Sequence, residues 1–533
     1  MTKLSLRPII LLVQVFVASL CSLSYELLIG TAVSNITGNS VLSFSLAIGF
    51  FLAGLGLGAF ISQWLVTDHL ATNFVVVEMA LALFGGFAVL LLYTSFIFTP
   101  YFTVVQIILT LGVGLLSGLE IPILTRLLNS EPNSQLKTVL ANVLSFDYLG
   151  GLAASVLFPL LLLPYFGLVR LNFIIGLLNI LTAVLAALVF WNRLAKTKTK
   201  ILVLTVLSLV SGLLILGIIY SSSVYNFVES YLYRDSIIYA TQSKYQRIVF
   251  TQSGKDLRLY LNGGIQFSAL DEYRYHESLV IPAMLYVLTQ KPATPLKIVV
   301  LGGGDGLAVR ELLKFRKHID QIKLVEIDPV MVDLAKNLLP LKELNQDSLT
   351  QPEVEVIVED AWLWVQRQPK QYFDLIITDF PDPDDVSLAK LYSLEFFKLI
   401  DQLLTETGAL VLQSTSPYAT PTAFWCVYKT LTQAFPEVYP YNVYIPSFGL
   451  WGFQLAIKQP GSFAIENLAT SSGLLRDNHY VNSQTISAMF QLEPDILEPR
   501  LKDGQKINKE LIQINTLDNL IVSYYYLQLK TAE

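Results

Sequence analysis

The chain has 533 residues, of which 53% are hydrophobic and 15% charged, and its formal net charge is −6 at pH 7. This composition excludes a disordered chain, a collagen and a disulfide scaffold. Residues 1–222 carry 15 charges and a net of +3, whereas residues 223–533 carry 63 charges and a net of −9. We therefore expect a membrane part followed by an acidic soluble part, and no nucleic-acid partner, since the soluble part has no basic stripe.

The first 222 residues contain about seven apolar stretches of the roughly 20 residues that a spanning helix needs. The predicted spans are 8–30, 40–66, 73–97, 101–125, 138–164, 168–191 and 201–221. The first span is not a cleavable signal, because no cleavage site precedes a soluble domain and further spans follow at once. Small residues in the second span permit close packing inside the bundle, namely Gly49, Gly54, Gly56 and Gly58.

Four acidic residues lie in or beside these spans. Charge at membrane depth is costly, so such residues usually face the interior of the bundle and mark function. We expect Glu78 and Glu120 near helix ends, in contact with water. Glu26 and Asp147 lie deeper in their spans. For these two residues the sequence leaves two alternatives, an internal polar site and a position in contact with water.

The basic residues of this part predict an orientation in the membrane. Those that flank one side of the seven spans are Lys3, Arg7, Arg126, Lys137, Arg193, Lys196, Lys198 and Lys200. Only Arg170 flanks the other side. The positive-inside bias then puts the N-terminus in the cytoplasm, and seven spans leave the soluble part outside.

The two cysteines, Cys21 and Cys426, lie 405 positions apart. They cannot form a disulfide framework or a zinc site. We expect both to be small buried hydrophobic residues.

Past residue 222 the pattern becomes that of a small β subdomain followed by an α/β domain. Short β-type runs precede Asn262-Gly263, a strong hairpin-turn signal, and a helix is predicted from Asp271. Strand runs then alternate with helices, which predicts a Rossmann-like, methyltransferase-type parallel sheet. These runs are 297–301, 323–328, 354–358, 373–378 and 408–413. The predicted domains are 1–222 (membrane), 223–270 (small β), 271–495 (Rossmann-like) and 496–533 (C-terminal tail).

Residues at the ends of the first three strands predict a nucleoside site. Glycines within 302–306 let a ligand approach the backbone closely. Glu326 ends the second strand and can accept hydrogen bonds from two ribose hydroxyls, while Asp360 and Ala361 are candidates for contact with the base. The glycine spacing does not match a dinucleotide fingerprint, so an adenosyl sulfonium fits better than NAD. The alternative is a glycine turn with solvated acids.

An acidic loop follows the fourth strand. Its carboxylates are Asp379, Asp382, Asp384 and Asp385, and prolines stiffen the loop by fixing φ. Carboxylates above a nucleoside pocket suit a cationic substrate such as a diamine. A solvated charge run is the alternative.

Together these motifs resemble the spermidine synthases, or polyamine aminopropyltransferases, over roughly residues 240–495. The motifs are Tyr245-Gln246, Leu261-Asn262-Gly263 with Gln266, 271–277, 302–306, 325–328, Asp360-Ala361, 379–383 and 446–453. The whole chain resembles the multi-pass membrane version of that family. The resemblance implies a homodimer and a reaction without a metal or redox cofactor.

The resemblance also implies a role for each matching residue. The residues that would hold the adenosine part of decarboxylated S-adenosylmethionine are Gln246, Glu326, Asp360 and Ala361. Asp305 would bind the aminopropyl ammonium, and Asp379 would accept the proton. The residues that would bind the diamine are Tyr275, His276 and Asp382, with Trp451 beside its methylene chain.

The chemistry fits these residue types. An amine with a free pKa of about 10 must lose a proton before it attacks, and a nearby carboxylate can take it. A second acid that holds the distal ammonium aligns the chain. Attack on the carbon beside the sulfonium releases methylthioadenosine.

The chain departs from the family pattern at several positions. Asn262 replaces an Asp, Leu307 a Gly, and Phe380 and Pro381 small polar residues, while a Gly-Pro is absent at 386–388. The changes in the acidic loop touch the amine pocket. Putrescine is the default acceptor, and a longer or different amine is the alternative.

Two other functions compete with this prediction. A methyltransferase shares the glycine loop and the strand-end acid, but paired acids and the Tyr275-His276-Glu277 motif have no general use in methyl transfer. The second competing function is that of a polyamine transporter or sensor, which the acidic residues Glu26 and Asp147 in the membrane part suggest. Because the donor is expected in the cytosol, we favour a cytosolic soluble domain. This placement requires either that one apolar stretch is re-entrant or that the N-terminus lies outside, against the basic-residue count; otherwise the domain has another role.

Overall fold

The computed structural model describes residues 6–37, 40–132, 134–191, 197–233, 235–469, 475, 477–500 and 506–530. The chain divides into two compact units, Met1–Arg234 and Asp235–Glu533. Of the basic residues counted for orientation, Lys3, Arg193 and Lys196 lie outside the described residues.

The first unit is a helical bundle. Its described helices are α1 (Leu6–Thr37), α2 (Ser40–Ile61), α3 (Leu70–Phe84), α4 (Ala88–Phe98), α5 (Phe102–Asn129), α6 (Leu136–Leu157), α7 (Leu163–Phe166), α8 (Leu168–Val189) and α9 (Thr197–Ser230). Seven helical segments of the described chain are long and apolar enough to cross a membrane, which matches the predicted number. The bundle is therefore compatible with membrane insertion.

Glycines allow helices α2 and α5 to lie unusually close. A methyl group at Gly54 or Gly58 would collide with the backbone of α5 at Leu111 or Leu115. Gly49 and Gly56 face open space instead. Only two of the four predicted glycines therefore serve this helix contact.

The third predicted span is interrupted between α3 and α4. The side chain of Asn172 on α8 bridges the break: its Oδ1 accepts from the Val89 N–H at 2.9 Å, and its Nδ2 donates to the Gly85 carbonyl. A broken helix inside a bundle needs such a partner, because water is not there to satisfy the freed backbone groups.

The acidic residues of the bundle are not distributed as expected. Glu78 and Glu120 are completely buried, whereas Glu26 and Asp147 are only partly buried. The prediction that Glu78 and Glu120 lie near helix ends in water is wrong, because both side chains point into the bundle.

The second unit begins with a small antiparallel sheet in the order β1-β2-β3-β4. Its strands are β1 (Ser236–Gln242), β2 (Arg247–Ser253), β3 (Asp256–Leu261) and β4 (Gly264–Ser268). The turn between β3 and β4 places Asn262 and Gly263 at φ 49° and 85°. Both values are left-handed, as a tight hairpin turn requires, so the predicted hairpin is confirmed.

The larger sheet has seven strands in the order β10-β11-β9-β8-β5-β6-β7. They are β5 (Leu296–Gly302), β6 (Ile319–Glu326), β7 (Val354–Val358), β8 (Phe373–Asp379), β9 (Leu404–Gln413), β10 (Glu437–Ile445) and β11 (Gly449–Ile457). β5 to β9 are parallel and correspond to the five predicted runs. The fold class is thus confirmed, with an antiparallel hairpin β10–β11 added at one edge.

Helices cover both faces of this sheet. They are α10 (Glu272–Gln290), α11 (Leu307–Leu313), α12 (Pro329–Asn337), α13 (Leu339–Leu344), α14 (Ala361–Val365), α15 (Val386–Ala389), α16 (Leu394–Leu403), α17 (Pro421–Leu431), α18 (Ile465–Ala469), α19 (Ser483–Met489), α20 (Pro494–Leu497) and α21 (Ile521–Lys530). Two apolar cores result, one on each face of the β5–β9 layer. Cys21 and Cys426 are both buried thiols, as expected.

Two of the predicted domain limits move. The limit after residue 222 falls inside α9, which continues to Ser230, because the polar residues after the apolar run extend the same helix. The C-terminal tail is part of the second unit, since Val522 and Tyr526 of α21 are buried in its core.

Candidate active site

The site forms where the strand order of the large sheet reverses, between β5 and β8. Gly302 and Asp379 end these neighbouring strands and are paired in register. The Gly303 N–H donates to the Asp379 carbonyl at 3.0 Å. Gly302 has a φ of 80°, and a methyl group there would collide with the Asp379 carbonyl. This reversal is where ligands bind in open α/β sheets.

Asp379 lies in a hydrogen-bonded setting that raises its basicity. Its Oδ1 accepts a hydrogen bond from the Tyr275 hydroxyl at 2.7 Å. Burial raises the pKa of Asp379 to about 6, helped by the charge of Asp305 and opposed by that of His276 and by the Tyr275 hydrogen bond. Asp379 is therefore mostly ionised at neutral pH yet a stronger base than an ordinary aspartate.

A buried ion-pair network supports this site from α10. His276 Nδ1 donates to Glu272 Oε2 at 2.8 Å, and Arg310 donates to both oxygens of Glu272 at 2.8 and 2.9 Å. Burial opposes the imidazolium, but the hydrogen bond and charge of Glu272 prevail and raise the pKa of His276 to about 9. Burial also opposes the Glu272 carboxylate, but its two cationic partners lower the pKa to about 2. His276 is thus a fixed positive charge beside Asp305 and Asp379.

The ribose end of the predicted site lies at the end of β6. Glu326 is buried, and its Oε1 accepts from the Asp328 N–H at 2.9 Å. A methyl group at Gly304 would lie 2.8 Å from Glu326 Oε2, so only glycine leaves the carboxylate room there. Burial raises the pKa of Glu326 to about 7. The structure therefore brings the glycine loop and the strand-end acid together.

Gln246 reaches the same place from the small sheet. Its Nε2 donates to Asp328 Oδ2 at 3.0 Å, and Ser243 donates to the same oxygen at 2.6 Å. Asp328 also caps α12 by accepting from the Val330 N–H. The sequence reasoning did not identify Asp328 as the residue that positions Gln246, although the residue belongs to the 325–328 motif.

Asp305, Asp360 and Ala361 lie at neighbouring strand ends. Asp305 Oδ1 accepts from the Leu307 N–H at 2.9 Å, and burial raises the pKa of Asp305. Asp360 caps α14 through the Trp362 N–H at 2.8 Å and pairs with Lys390 at 3.3 Å. Ala361 is buried. Asp360 therefore has a structural role in addition to any contact with a base.

Asp382, in the acidic loop, is held by residues far away in the chain. Its Oδ2 accepts from the Tyr526 hydroxyl of α21 at 2.7 Å, and its Oδ1 lies 3.4 Å from Gln413 Nε2. Sequence reasoning missed Tyr526 because it lies outside every motif of the resemblance. Asp385 does not join the site, since it caps α15 through the Ser387 N–H.

Aromatic side chains connect Trp451 of β11 to Tyr275. Trp451 contacts Phe448 at 5.0 Å between ring centroids, and Phe448 lies 6.2 Å from Tyr275. Trp451 Nε1 is buried and has no hydrogen-bond partner. This apolar wall suits an alkyl chain.

The departures in the acidic loop have structural partners. Tyr392 donates to the Pro381 carbonyl at 3.0 Å, and Gln413 donates to the Phe380 carbonyl at 2.9 Å. Phe380 itself is buried against Phe396. Phe380 and Pro381 therefore stiffen the loop that carries Asp382. Across the described residues, no group of three or more His, Cys, Asp or Glu is arranged to hold a metal ion.

Comparison with known proteins yields relatives over the whole chain. Residues 272–467 match the spermine/spermidine synthase domain. A polyamine aminopropyltransferase from Leptospira interrogans is 40% identical over 97% of this chain and 97% of its own. Polyamine aminopropyltransferase 2 from Ralstonia nicotianae is 38% identical over 95% of this chain and 97% of its own. The crystal structure of spermidine synthase from Thermotoga maritima is 25% identical, covers 48% of this chain and 85% of that chain, and has a TM-score of 0.43. On the full-length relatives, this chain belongs to the polyamine aminopropyltransferase family of enzymes.

Proposed function

We propose that this enzyme transfers the aminopropyl group of decarboxylated S-adenosylmethionine to a diamine, putrescine by default, giving spermidine and methylthioadenosine. The observation that carries the proposal is Asp379, which is half-buried at the strand reversal, has a pKa raised to about 6 and accepts a hydrogen bond from Tyr275. A donor site on one side of it and an acidic loop on the other fit a two-substrate transfer.

The donor lies along the ends of β5, β6 and β7 in this proposal. Glu326 accepts from the ribose hydroxyls, and the backbone of Gly304 lets the ligand come close. The residues that contact the rest of the adenosine are Gln246, Asp360 and Ala361. Asp305 binds the aminopropyl ammonium, and its partial burial strengthens that charge pairing relative to an exposed one.

The amine occupies the space between Asp379 and Asp382. The wall of Phe448 and Trp451 contacts its methylene groups, and Asp382 binds its distal ammonium. Tyr526 closes this end by bonding Asp382 at 2.7 Å, so α21 sets how long an amine fits. This makes the identity of the acceptor depend on a segment outside the 272–467 domain.

The role proposed for His276 differs from the direct amine contact predicted from the sequence. Its Nδ1 is bonded to Glu272, and its pKa of about 9 keeps it charged at neutral pH. An imidazolium repels an ammonium. We therefore assign it a positioning role: it keeps Asp379 and Asp305 ionised while Tyr275, Asp382 and Trp451 contact the amine.

The chemical step moves one proton and two electron pairs. Asp379 takes a proton from the near ammonium, which frees a nitrogen lone pair. That nitrogen forms a bond to the carbon beside sulfur, and the carbon–sulfur bond breaks towards sulfur. The sulfonium leaves as the neutral thioether of methylthioadenosine, so the step requires no metal or redox cofactor.

Purified full-length chain tests this function directly. We expect methylthioadenosine release from decarboxylated S-adenosylmethionine with putrescine or a related aliphatic diamine, and none without an amine. Methyl transfer from S-adenosylmethionine in place of this release would favour the competing methyltransferase. No turnover with any amine of a graded-length panel would contradict the proposal.

We further propose that the helical unit spans the cell membrane and that the soluble unit faces the cytosol, where the donor is expected. The seven apolar segments support the first statement. Protease added to sealed spheroplasts should leave residues 235–533 intact, and their cleavage would refute the cytosolic placement. The homodimer stays a prediction, which light scattering of the detergent-solubilised enzyme tests.

A further inference from the structure

A C-terminal segment, residues 506–530, lies outside the matched synthase domain yet reaches the acidic loop. Its helix α21 carries Tyr526, which is 6% exposed and donates to Asp382 Oδ2 at 2.7 Å. The connection between α15 and α16 carries Tyr392, which is 1% exposed and donates to the Pro381 carbonyl at 3.0 Å. Two buried tyrosines from different elements thus contact the loop that contains Asp382.

Asn515 of the C-terminal segment binds the connection that carries Tyr392. Asn515 is 0% exposed, and its Nδ2 donates to the carbonyl of Ala389, the last residue of α15, at 2.8 Å. Its backbone carbonyl accepts from the N–H of Leu394, the first residue of α16, at 2.8 Å. These two contacts lie on either side of Tyr392 in the chain, so Asn515 fixes the stretch from which the Tyr392 side chain extends.

The same side chain also fixes the start of α21. Asn515 Oδ1 accepts from the Val522 N–H, in the first turn of that helix, at 3.3 Å. Val522 is 0% exposed and belongs to the apolar core. Tyr526 lies four residues, or one helical turn, beyond it. The amide of Asn515 therefore connects the two elements whose tyrosines contact the acidic loop.

α17 fixes Asn515 in turn. The Asn515 N–H donates to Thr430 Oγ1 at 2.9 Å, and Lys429 Nζ donates to the carbonyls of Glu510 and Ile512 at 2.7 Å each. The backbone N–H, backbone carbonyl, Nδ2 and Oδ1 of Asn515 thus each have a partner. A buried polar group that is satisfied in this way specifies one arrangement of the elements around it, because any other leaves it unpaired.

We propose that Asn515 is a positioning residue for amine binding: it fixes α21 and the Tyr392 connection relative to each other, and their tyrosines then hold Asp382 where it binds the distal ammonium. This inference rests on the function proposed above, which gives Asp382 that role. In the described part of the chain, the hydrogen bonds of Asn515 go to Ala389, Leu394, Thr430 and Val522 and not to a carboxylate. Asn515 therefore acts through the two tyrosines.

Steady-state kinetics of the full-length, detergent-solubilised enzyme test the proposal. Asn515→Ala should raise KM for the amine about tenfold, because the hydrogen bond that supports the charged Asp382 is weakened. The values of kcat and of KM for the donor should stay unchanged, and the preference among diamines of three to five carbons should become weaker. The matched control is Asn508→Ala, at an exposed asparagine of the same segment that bonds only the nearby Glu510 N–H, and it should change none of these constants.

A combination of variants tests whether Asn515 acts through the tyrosines. Tyr392→Phe together with Tyr526→Phe removes both hydrogen bonds to the loop. Adding Asn515→Ala to this pair should change KM for the amine by less than about threefold, since effects that pass through the same residues do not add. A further tenfold rise would show that Asn515 acts by another route and would overturn the proposal.

The remaining outcomes separate this inference from the proposed function. If Asn515→Ala does not fold, Thr430→Val decides: it removes the acceptor of the Asn515 N–H, keeps the shape of the side chain and should raise KM for the amine about threefold. An unchanged KM in the variant that folds, or an equal rise in both KM values, would overturn the positioning role while turnover by the wild type leaves the proposed function intact. No turnover by the wild type with any amine would instead contradict the proposed function, and this inference with it.

Discussion

The charge of His276 makes the stability of the soluble unit depend on pH in a direction that the structure determines. Its pKa is about 9 in the folded chain and 6.5 ordinarily. A group whose pKa is raised by folding stabilises the fold fully below its ordinary pKa and loses that contribution as pH rises through the folded value. We therefore expect the contribution of His276 to be complete below pH 6.5 and to disappear as pH passes 9.

The size of the effect follows from the same two values. At 1.36 kcal/mol per pKa unit, the difference between 6.5 and about 9 corresponds to about 3 kcal/mol. His276 is buried, so solvent does not screen it, and the groups facing it are Glu272, Asp305 and Asp379. Glu272 acts at the other end of the scale: its pKa is lowered to about 2, so its contribution is present above pH 4.5 and lost towards pH 2.

Hydrogen exchange of α10 in the detergent-solubilised chain measures this effect, with rates corrected for the intrinsic pH dependence of exchange. The wild type should lose about 3 kcal/mol of protection relative to His276→Asn between pH 6.5 and 10. His318→Gln, which changes a histidine outside the network, should behave as the wild type does. An equal loss in wild type and His276→Asn would refute the assignment of a charged, Glu272-bonded imidazolium.

Three further substitutions test separate parts of the account. Tyr526→Phe should raise KM for the amine about tenfold, because it removes a hydrogen bond to the charged Asp382 and such bonds contribute about 1.5–3 kcal/mol. The values of kcat and of KM for the donor should change little. Tyr524→Phe, at an exposed neighbouring tyrosine, should change none of these constants. Glu326→Gln should raise KM for the donor at least tenfold and leave KM for the amine unchanged. If Glu326 had a purely structural role, both KM values would rise. Asn172→Ala should lower the melting temperature of the helical unit, because the Val89 N–H loses its acceptor at a cost of about 1–3 kcal/mol, while the Gly85 carbonyl keeps the Ala88 N–H at 3.0 Å. An unchanged melting temperature would contradict the bridged break.

Local patterns made the framework of the soluble unit predictable. Four of the five parallel strands are short, mostly buried runs, and β5, β6 and β8 end in Gly302, Glu326 and Asp379. Parallel strands bring such ends to one edge of the sheet. The turn at Asn262-Gly263 needs left-handed backbone, which these two residue types adopt most easily. The signal in these cases lies within a few consecutive residues.

The remaining features depend on contacts between distant residues. Tyr526 meets Asp382 across 144 positions, and Arg310 meets Glu272 across 38, so no local pattern records either pair. The edge hairpin β10–β11 was not predicted, because its strands mix polar and apolar residues without the continuous buried run of β5. The depth of Glu78 and Glu120 was misjudged, since hydropathy locates a helix along the chain but not the face that turns inward.

The pH dependence of Asp379→Asn tests the central claim most directly. Asparagine keeps the shape of the side chain but cannot take the amine proton, so kcat/KM for the amine should fall by about 10²–10⁴ at pH 7.5. The wild type should lose activity as pH falls through about 6, so the two enzymes should converge at low pH. If kcat/KM of the variant at pH 7.5 were within tenfold of the wild-type value, and if its activity fell in the same way at low pH, Asp379 would not be the proton acceptor.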